Sequence, residues 1–494
     1  MIALDGASLT PREVAAVARG GVQVELSAEA GERNLAARDA IAAHLQSGRP
    51  LYGASTGVGA LRGHVIAPEE REQFQWNLLR SHAVSAGRPL DPELVRAGMV
   101  VRANQLGAGG AGVAPQLLEL LVVALNENVV PLTHELGSLG TGDLPGLAEI
   151  ALALLGEGRE WAGGELRGLA EGAEPRLGLR DALGFMSSNA LTAGQAALIA
   201  VDGLALHEAW LAVAALTFEA VQADPVVLDD RVQAARGARG QAAVARRMRE
   251  LLAGAALARA SSDRLVQDPY PFRVLPQVDG VSRDALLRLE EVVTRECNSR
   301  GENALIIDGE ALPGGNFHAA ELAAALDGLR AALAQSASLI AARVSALLEP
   351  RITGLSPFLA ERPGAESGVM MVEYTAHAAA AEARSLAMPM ATQSVWASLG
   401  VESHASLAAT AARRTAEVIE AMWTLVAAEL VVAVRALRFE ERTPAGQETR
   451  ALFEAAERAI PAEMVDRAFG RDIERAGAAL AEWSGARGSP PAVE

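Results

Sequence analysis

The sequence predicts a mainly α protein, a bundle of long helices with a mixed, loop-rich N-terminal part. Three observations predict it. Hydrophobic residues make up 50% of the 494 while aromatics make up only 4%, and Ala and Leu dominate, a balance that favours helices over sheets. Helical stretches at 182–225, 282–297, 317–349, 366–388 and 402–438 each run past an ordinary helix length. Within 317–349, apolar residues recur every three or four positions and Ala nearly fills the gaps. Such a helix can pack closely on several sides, as a bundle core requires.

The other elements follow from local signals. Residues 1–110 read as short helices and Gly-rich loops. Residues 115–128 and 144–157 read as helices on either side of a loop at 137–143. Clusters of Pro and Gly make 261–281 and 299–316 loops. The Gly/Ser/Pro-rich tail from 485 is expected to fray. This divides the chain into an N-terminal part, 1–200, a central helix bundle, 201–440, and C-terminal helices with the tail, 441–494.

Composition excludes several functions. The net charge is −17, from 44 basic and 61 acidic residues, and no long basic run offers a surface to nucleic acid or an anionic membrane. The N-terminus lacks a signal pattern, and charges or glycines are expected to interrupt every long apolar run. Cys297 is the only cysteine, so no internal disulfide can form and a reducing cytoplasm is the expected setting. Every basic residue is Arg, with no Lys in the chain. A pyridoxal phosphate Schiff base and a phosphate-binding P-loop both need a Lys, and both are excluded. The eight histidines show no paired ligand spacing, so no metal is expected.

The most informative segment runs from Gly137 to Glu149: Gly-Ser-Leu-Gly-Thr-Gly-Asp-Leu-Pro-Gly-Leu-Ala-Glu. Gly140 and Gly142 flank a hydroxyl residue, Thr141, and let the backbone fold back on itself. An amide nitrogen can then reach a nearby carbonyl carbon, and loss of water from the hydroxyl residue leaves an electron-poor alkene. The segment resembles the loop that builds the methylidene-imidazolone (MIO) electrophile of the histidine and aromatic amino acid ammonia-lyases, where the triad is Ala-Ser-Gly. This loop is one residue shorter and carries Thr in place of Ser. Four other segments resemble the family in its order: Tyr52-Gly53-Ala54-Ser55-Thr56-Gly57-Val58-Gly59, Asn77-Leu78-Leu79-Arg80-Ser81-His82, Gln267-Asp268-Pro269-Tyr270-Pro271-Phe272-Arg273, and Gly314-Gly315-Asn316-Phe317-His318. A further one, Glu402-Ser403-His404, is similar to its Glu-Asp-His.

The resemblance implies a histidine/phenylalanine ammonia-lyase fold, related to the fumarase–aspartase type, and a homotetramer whose sites draw on more than one chain. It implies an MIO-type electrophile formed from Gly140-Thr141-Gly142. Tyr52 would take the substrate β-proton, with Tyr270 as a further catalytic group. Arg273 would grip the carboxylate, as a planar guanidinium suits bidentate binding. Asn189, Gln267 and Phe317 would line the electrophile and the amine. His82 and Glu402 go with histidine substrates, since a carboxylate can hold an imidazole N–H. The expected reaction eliminates ammonia from histidine or a similar α-amino acid, a small-molecule substrate, to give an α,β-unsaturated acid. Two alternatives stay open. One is an enzyme on the same scaffold that lacks the electrophile and uses Tyr52, His82 and Glu402 for other acid–base chemistry; the other is a non-catalytic binding homologue. Glu149, where the family has His, and Ser403, where it has Asp, are further departures.

Overall fold

The computed structural model describes residues 1–161, 176–255, 257 and 267–485. The expected fraying beyond 485 lies outside them. About 63% of the chain is helical, in agreement with the mainly α class. By contacts the chain forms two compact units. The first takes Met1–Val201, Leu289–Leu326 and Pro389–Arg413; the second takes Asp202–Arg288, Asp327–Met388 and Arg414–Glu494.

The first unit is organised around the helix Pro92–Gly107, whose residues from Val95 onward are all buried. Arg96 lies inside this core and spends its guanidinium on carbonyls at two helix ends, those of Val17, Ala18 and Leu125. A cation is favoured there because the last carbonyls of a helix lack partners. The helix Pro11–Gly20 packs beside it and opens with a capping box between Thr10 and Glu13. Among the described residues, three small two-stranded sheets complete the unit. Ile2–Leu4 runs parallel to Val24–Leu26, and Ala86–Pro89 runs antiparallel to His134–Leu136. Leu305–Ile307 pairs antiparallel with Glu310–Leu312. That last hairpin falls in the expected loop 299–316; Asp308 and Gly309 both take positive φ (49° and 81°), the turn that joins two strands tightly.

The second unit holds the greater part of four long helices, Ala190–Val221, Leu275–Cys297, Ala320–Leu348 and Ala408–Phe439. Two apolar stretches, Asp181–Val221 and Ala320–Leu348, are long enough to cross a membrane by composition. Charges and glycines interrupt both all the same: Gly194, Asp202, Gly203 and Glu208 in the first, and Asp327, Gly328, Arg330 and Arg343 in the second. Most of each apolar window is buried inside the protein, 72% and 67%, as in core helices.

Several helix boundaries differ from expectation, such as Met370–Ser385 for 366–388, and three of the differences have a physical reason. The stretch 182–225 is not one helix. It breaks at Ser187–Asn189 into Asp181–Met186 and Ala190–Val221, because Asn189 turns its side chain to a neighbouring loop. The helix expected from 282 begins at Leu275, after a short turn Tyr270–Arg273, since Pro276 near a helix start costs no hydrogen bond. The helix expected from 402 begins at Ala408, because residues 402–407 are committed to tertiary hydrogen bonds.

Candidate active site

The first unit builds a site around Gly140-Thr141-Gly142, where the Gly140 carbonyl, the Thr141 hydroxyl and the Gly142 N–H each have a partner from outside the loop. Gly140 and Gly142 take φ of 81° and 106°, accessible to glycine at little cost. The Gly140 carbonyl accepts from the Ala319 N–H at 3.1 Å and from Ser406 Oγ at 2.9 Å. The Gly142 N–H donates to Asn189 Oδ1 at 3.1 Å, while Asn189 Nδ2 donates to the Phe317 carbonyl at 2.7 Å. Leu407 N–H donates to the Leu139 carbonyl at 2.8 Å. Asp143 is buried just after the turn. Its carboxylate accepts from Thr192 N–H and Thr192 Oγ1, both at 2.8 Å, and so caps the first turn of Ala190–Val221. Burial pushes the Asp143 carboxyl above the usual carboxylate range.

Thr141 faces a side chain of the opposite loop. Its Oγ1 donates to Glu402 Oε2 at 3.2 Å. Glu402 sits on a short bridge with Ala397, whose N–H donates to the Glu402 carbonyl at 2.9 Å. Between them, Ser398 Oγ accepts from Ala60 N–H at 3.3 Å. The neighbouring Gly59 N–H donates to the Tyr52 phenol oxygen at 2.8 Å. A chain of contacts thus runs from Tyr52 through Gly59-Ala60 and Ser398 to Glu402 and Thr141.

His82 ends the helix Arg71–His82, with Nδ1 2.8 Å from the Leu78 carbonyl of its own helix. A carbonyl only accepts, so Nδ1 carries the hydrogen and Nε2 keeps a lone pair. Burial pushes this imidazole below its ordinary value, and the Leu78 contact opposes that in part. His318, next to Phe317, has Nε2 3.0 Å from His404 Nδ1.

Thr141, Asn189, Phe317 and Glu402 are therefore joined directly, and Tyr52 is joined through Ser398. Gln267, Tyr270 and Arg273 belong to the second unit. Gln267 is exposed, Tyr270 is 69% exposed, and the Arg273 guanidinium stands 5.2 Å from the centre of the Tyr270 ring.

Sequence reading missed Ser406 and Ala319, the two donors on the Gly140 carbonyl. Ala319 acts through its backbone and carries no side-chain signal. Ser406 lies just beyond Glu402-Ser403-His404 in a segment that reads as helix.

These residues fit an electrophile made from this turn. Two donors polarise the Gly140 carbonyl, and an amide oxygen stands ready at the Gly142 N–H. The fit is to Gly, not Ala, at the first position, since a Cβ on Gly140 would lie 2.0 Å from Ser406 Oγ.

The chain is similar to known proteins. The family model for aromatic amino acid lyases matches residues 9–458. A histidine ammonia-lyase from Symbiobacterium thermophilum is 38% identical over 97% of this chain and 95% of that protein. Among solved structures, tyrosine aminomutase from Streptomyces globisporus superposes with a TM-score of 0.92 at 29% identity, covering 98% of this chain and 97% of the other. Ergothionase from Treponema denticola, an ergothioneine-degrading enzyme, superposes with a TM-score of 0.90 at 25% identity, covering 98% and 99%. The chain is an ammonia-lyase-like enzyme and belongs to the aromatic amino acid lyase family.

Proposed function

We propose that this enzyme removes ammonia from histidine, or an α-amino acid of similar shape, and releases an α,β-unsaturated acid. The observation that carries this reading is the closure of partners on Gly140-Thr141-Gly142 with Glu402 beside them. An MIO-type electrophile on this turn supplies an electron-poor alkene that makes the substrate amine a better leaving group. The surrounding residues do the rest. Tyr52 takes the proton from the β-carbon. The Cβ–H and Cα–N bonds break, the Cα=Cβ bond forms, and ammonia departs. Glu402 accepts the imidazole N–H, and the lone pair on His82 Nε2 accepts the second N–H of the ring in its protonated form. Asn189 and Phe317 hold the turn that faces the amine. Arg273 grips the carboxylate, with Gln267 and Tyr270 beside it. The exposure of Gln267 and Tyr270 suits a role in a neighbouring subunit's site, as a homotetramer in a reducing cytoplasm would provide.

Intact mass tests the electrophile. Ring formation removes two waters, so the purified chain should weigh about 36 Da less than its translated sequence. Release of urocanate from L-histidine tests the reaction; a chain with the mass deficit and no such release defeats the substrate assignment.

A second reading is favoured by one contact. The Thr141 hydroxyl donates to a carboxylate, which opposes its departure as water. On this reading Thr141 stays intact, and Tyr52, His82 and Glu402 act on an amino acid-like substrate whose leaving group needs no electrophile. A mass equal to the translated chain, with turnover of such a substrate, selects it.

A further inference from the structure

Arg180 lies directly behind the Tyr52 turn and has no role in the scheme above. It is fully enclosed, 1% exposed. Its Nε donates to the Tyr52 carbonyl at 3.1 Å, and its Nη2 donates to the Asn303 carbonyl. Its Nη1 is buried and has no acceptor among the described residues. A second buried guanidinium, Arg102, stands near it and bonds Glu302 Oε1 at 3.1 Å. Glu302 pairs with Arg102 and lies near Arg180 without bonding it, so two buried cations stand near one carboxylate and an excess positive charge lies close to Tyr52. The next carbonyl, that of Gly53, is held by Gln75 Nε2 at 3.1 Å, and Gln75 Oε1 accepts from the Ala182 N–H at 3.0 Å. The main chain of Tyr52 is therefore gripped from the helix Asp181–Met186 side, while its phenol oxygen is gripped by Gly59.

Stability alone does not account for this arginine. A buried N–H with no acceptor is costly, and burial pulls the guanidinium down to about 10. Removing Arg180 strands no charge, because Arg102 and Glu302 still pair. An apolar side chain of similar length would fill the space at less expense.

We propose that Arg180 is a positioning residue for proton abstraction: it fixes the turn that carries Tyr52 and keeps an excess positive charge close to that residue. This deepens the assignment of Tyr52 as the base and rests on it.

Arg180→Met, compared with Arg180→Lys and Tyr52→Phe, tests it on the full chain. With L-histidine, Arg180→Met should lower kcat about 100-fold, as misplacement by an ångström does, with KM within about threefold and Tm within about 3 °C of the parent. Arg180→Lys should recover part of kcat. Adding Arg180→Met to Tyr52→Phe should cause no further loss. A second readout needs no turnover. The chain has three tyrosines, Tyr52, Tyr270 and Tyr374. After 19F-tyrosine labelling, the signal lost in Tyr52→Phe should move in Arg180→Met, while the other two stay. An unmoved Tyr52 signal overturns the proposal, as does unchanged kcat in an active enzyme or a parallel fall of kcat and Tm. Activity that survives Tyr52→Phe overturns the assignment of the base itself.

Discussion

The turn at Gly140–Asp143 and the helical core of the second unit are both full of buried polar groups, but they use them differently. At the turn the bonded groups are mostly backbone: the Gly140 carbonyl, the Gly142 N–H and the Leu139 carbonyl are met by Asn189, Ala319 and the pair Ser406-Leu407. In the second unit they are charged side chains that meet across helices. Arg343 binds Glu429 through Nε at 2.6 Å and Nη2 at 3.0 Å, and Glu429 also accepts from Thr217 Oγ1 at 3.0 Å. Asp279 accepts from Ser336 Oγ at 2.7 Å, and Ser336 meets Ser282 at 2.9 Å. Backbone partners fix where atoms lie. Buried ionic partners make the fold sensitive to the loss of one charge. Substitutions at the turn should therefore cost function with little stability, and substitutions in the ionic core should do the reverse.

The largest expected effect is at Thr141. On the electrophile reading, Thr141→Ala should abolish the mass deficit and lower turnover by about 10⁴-fold or more, because a covalent step is lost. The melting temperature should hold, as the Thr141 side chain makes one half-exposed contact. Mass spectrometry and calorimetry on one sample check both. In the second unit, Glu429→Gln leaves Arg343 buried with its direct counter-charge gone, and should cost about 3–5 kcal/mol in denaturant unfolding. Turnover per folded molecule should not change. A Glu429→Gln protein that is stable but inactive would erase the contrast between the regions.

The same contrast explains what could be read without coordinates. Long Ala/Leu helices are local, and so is the spacing that brings Tyr52, His82, Phe317 and Glu402 into family order. Their ends are not local. Nothing in Phe185-Met186-Ser187-Ser188-Asn189 announces that Asn189 breaks a helix to hold Gly142, or that residues 402–407 stay unwound so that Ser406 reaches Gly140. These choices come from tertiary hydrogen bonds, which override propensity. The Arg343–Glu429 pair was equally hidden, since an arginine in an Ala-rich helix reads as a solvated face until a partner 86 positions away is brought opposite.

Asn189→Ala is the sharper test of the turn. It removes the acceptor of Gly142 N–H and the donor to Phe317 together. Turnover should fall about 10²-fold, the loss expected from misplacement by an ångström. The unfolding free energy should fall by about 1–3 kcal/mol, for backbone groups left unpaired. If the mass deficit also becomes partial, Asn189 assists ring formation as well as placement.

The smallest effect isolates the ionic core by pH. Burial pushes the Asp279 carboxyl up to about 6 and the His207 imidazole down to about 4. His207 Nε2 stands 3.3 Å from the Asp279 carbonyl, a backbone group, so both shifts arise in one place. Their signs oppose. For Asp279 the folded chain binds the extra proton, so its contribution is lost as pH rises from about 4 through 6. For His207 the unfolded chain binds it, so stability is lost as pH falls from 6.5 through about 4. The two slopes offset between pH 4 and 6. Asp279→Asn keeps the carbonyl and an oxygen for Ser336 while removing the ionisation. Its stability relative to the parent should be near zero at pH 4 and grow to roughly 1–3 kcal/mol in favour of the variant above pH 6. Glu296, pushed up to about 7 chiefly by burial, belongs to the first unit and is common to both proteins, so it cancels in the difference. Urea titrations from pH 4 to 8 measure that difference directly. A difference that does not vary with pH would mean that the Asp279 carboxyl is ionised throughout, and the buried carboxyl would then hold no proton that the unfolded chain releases.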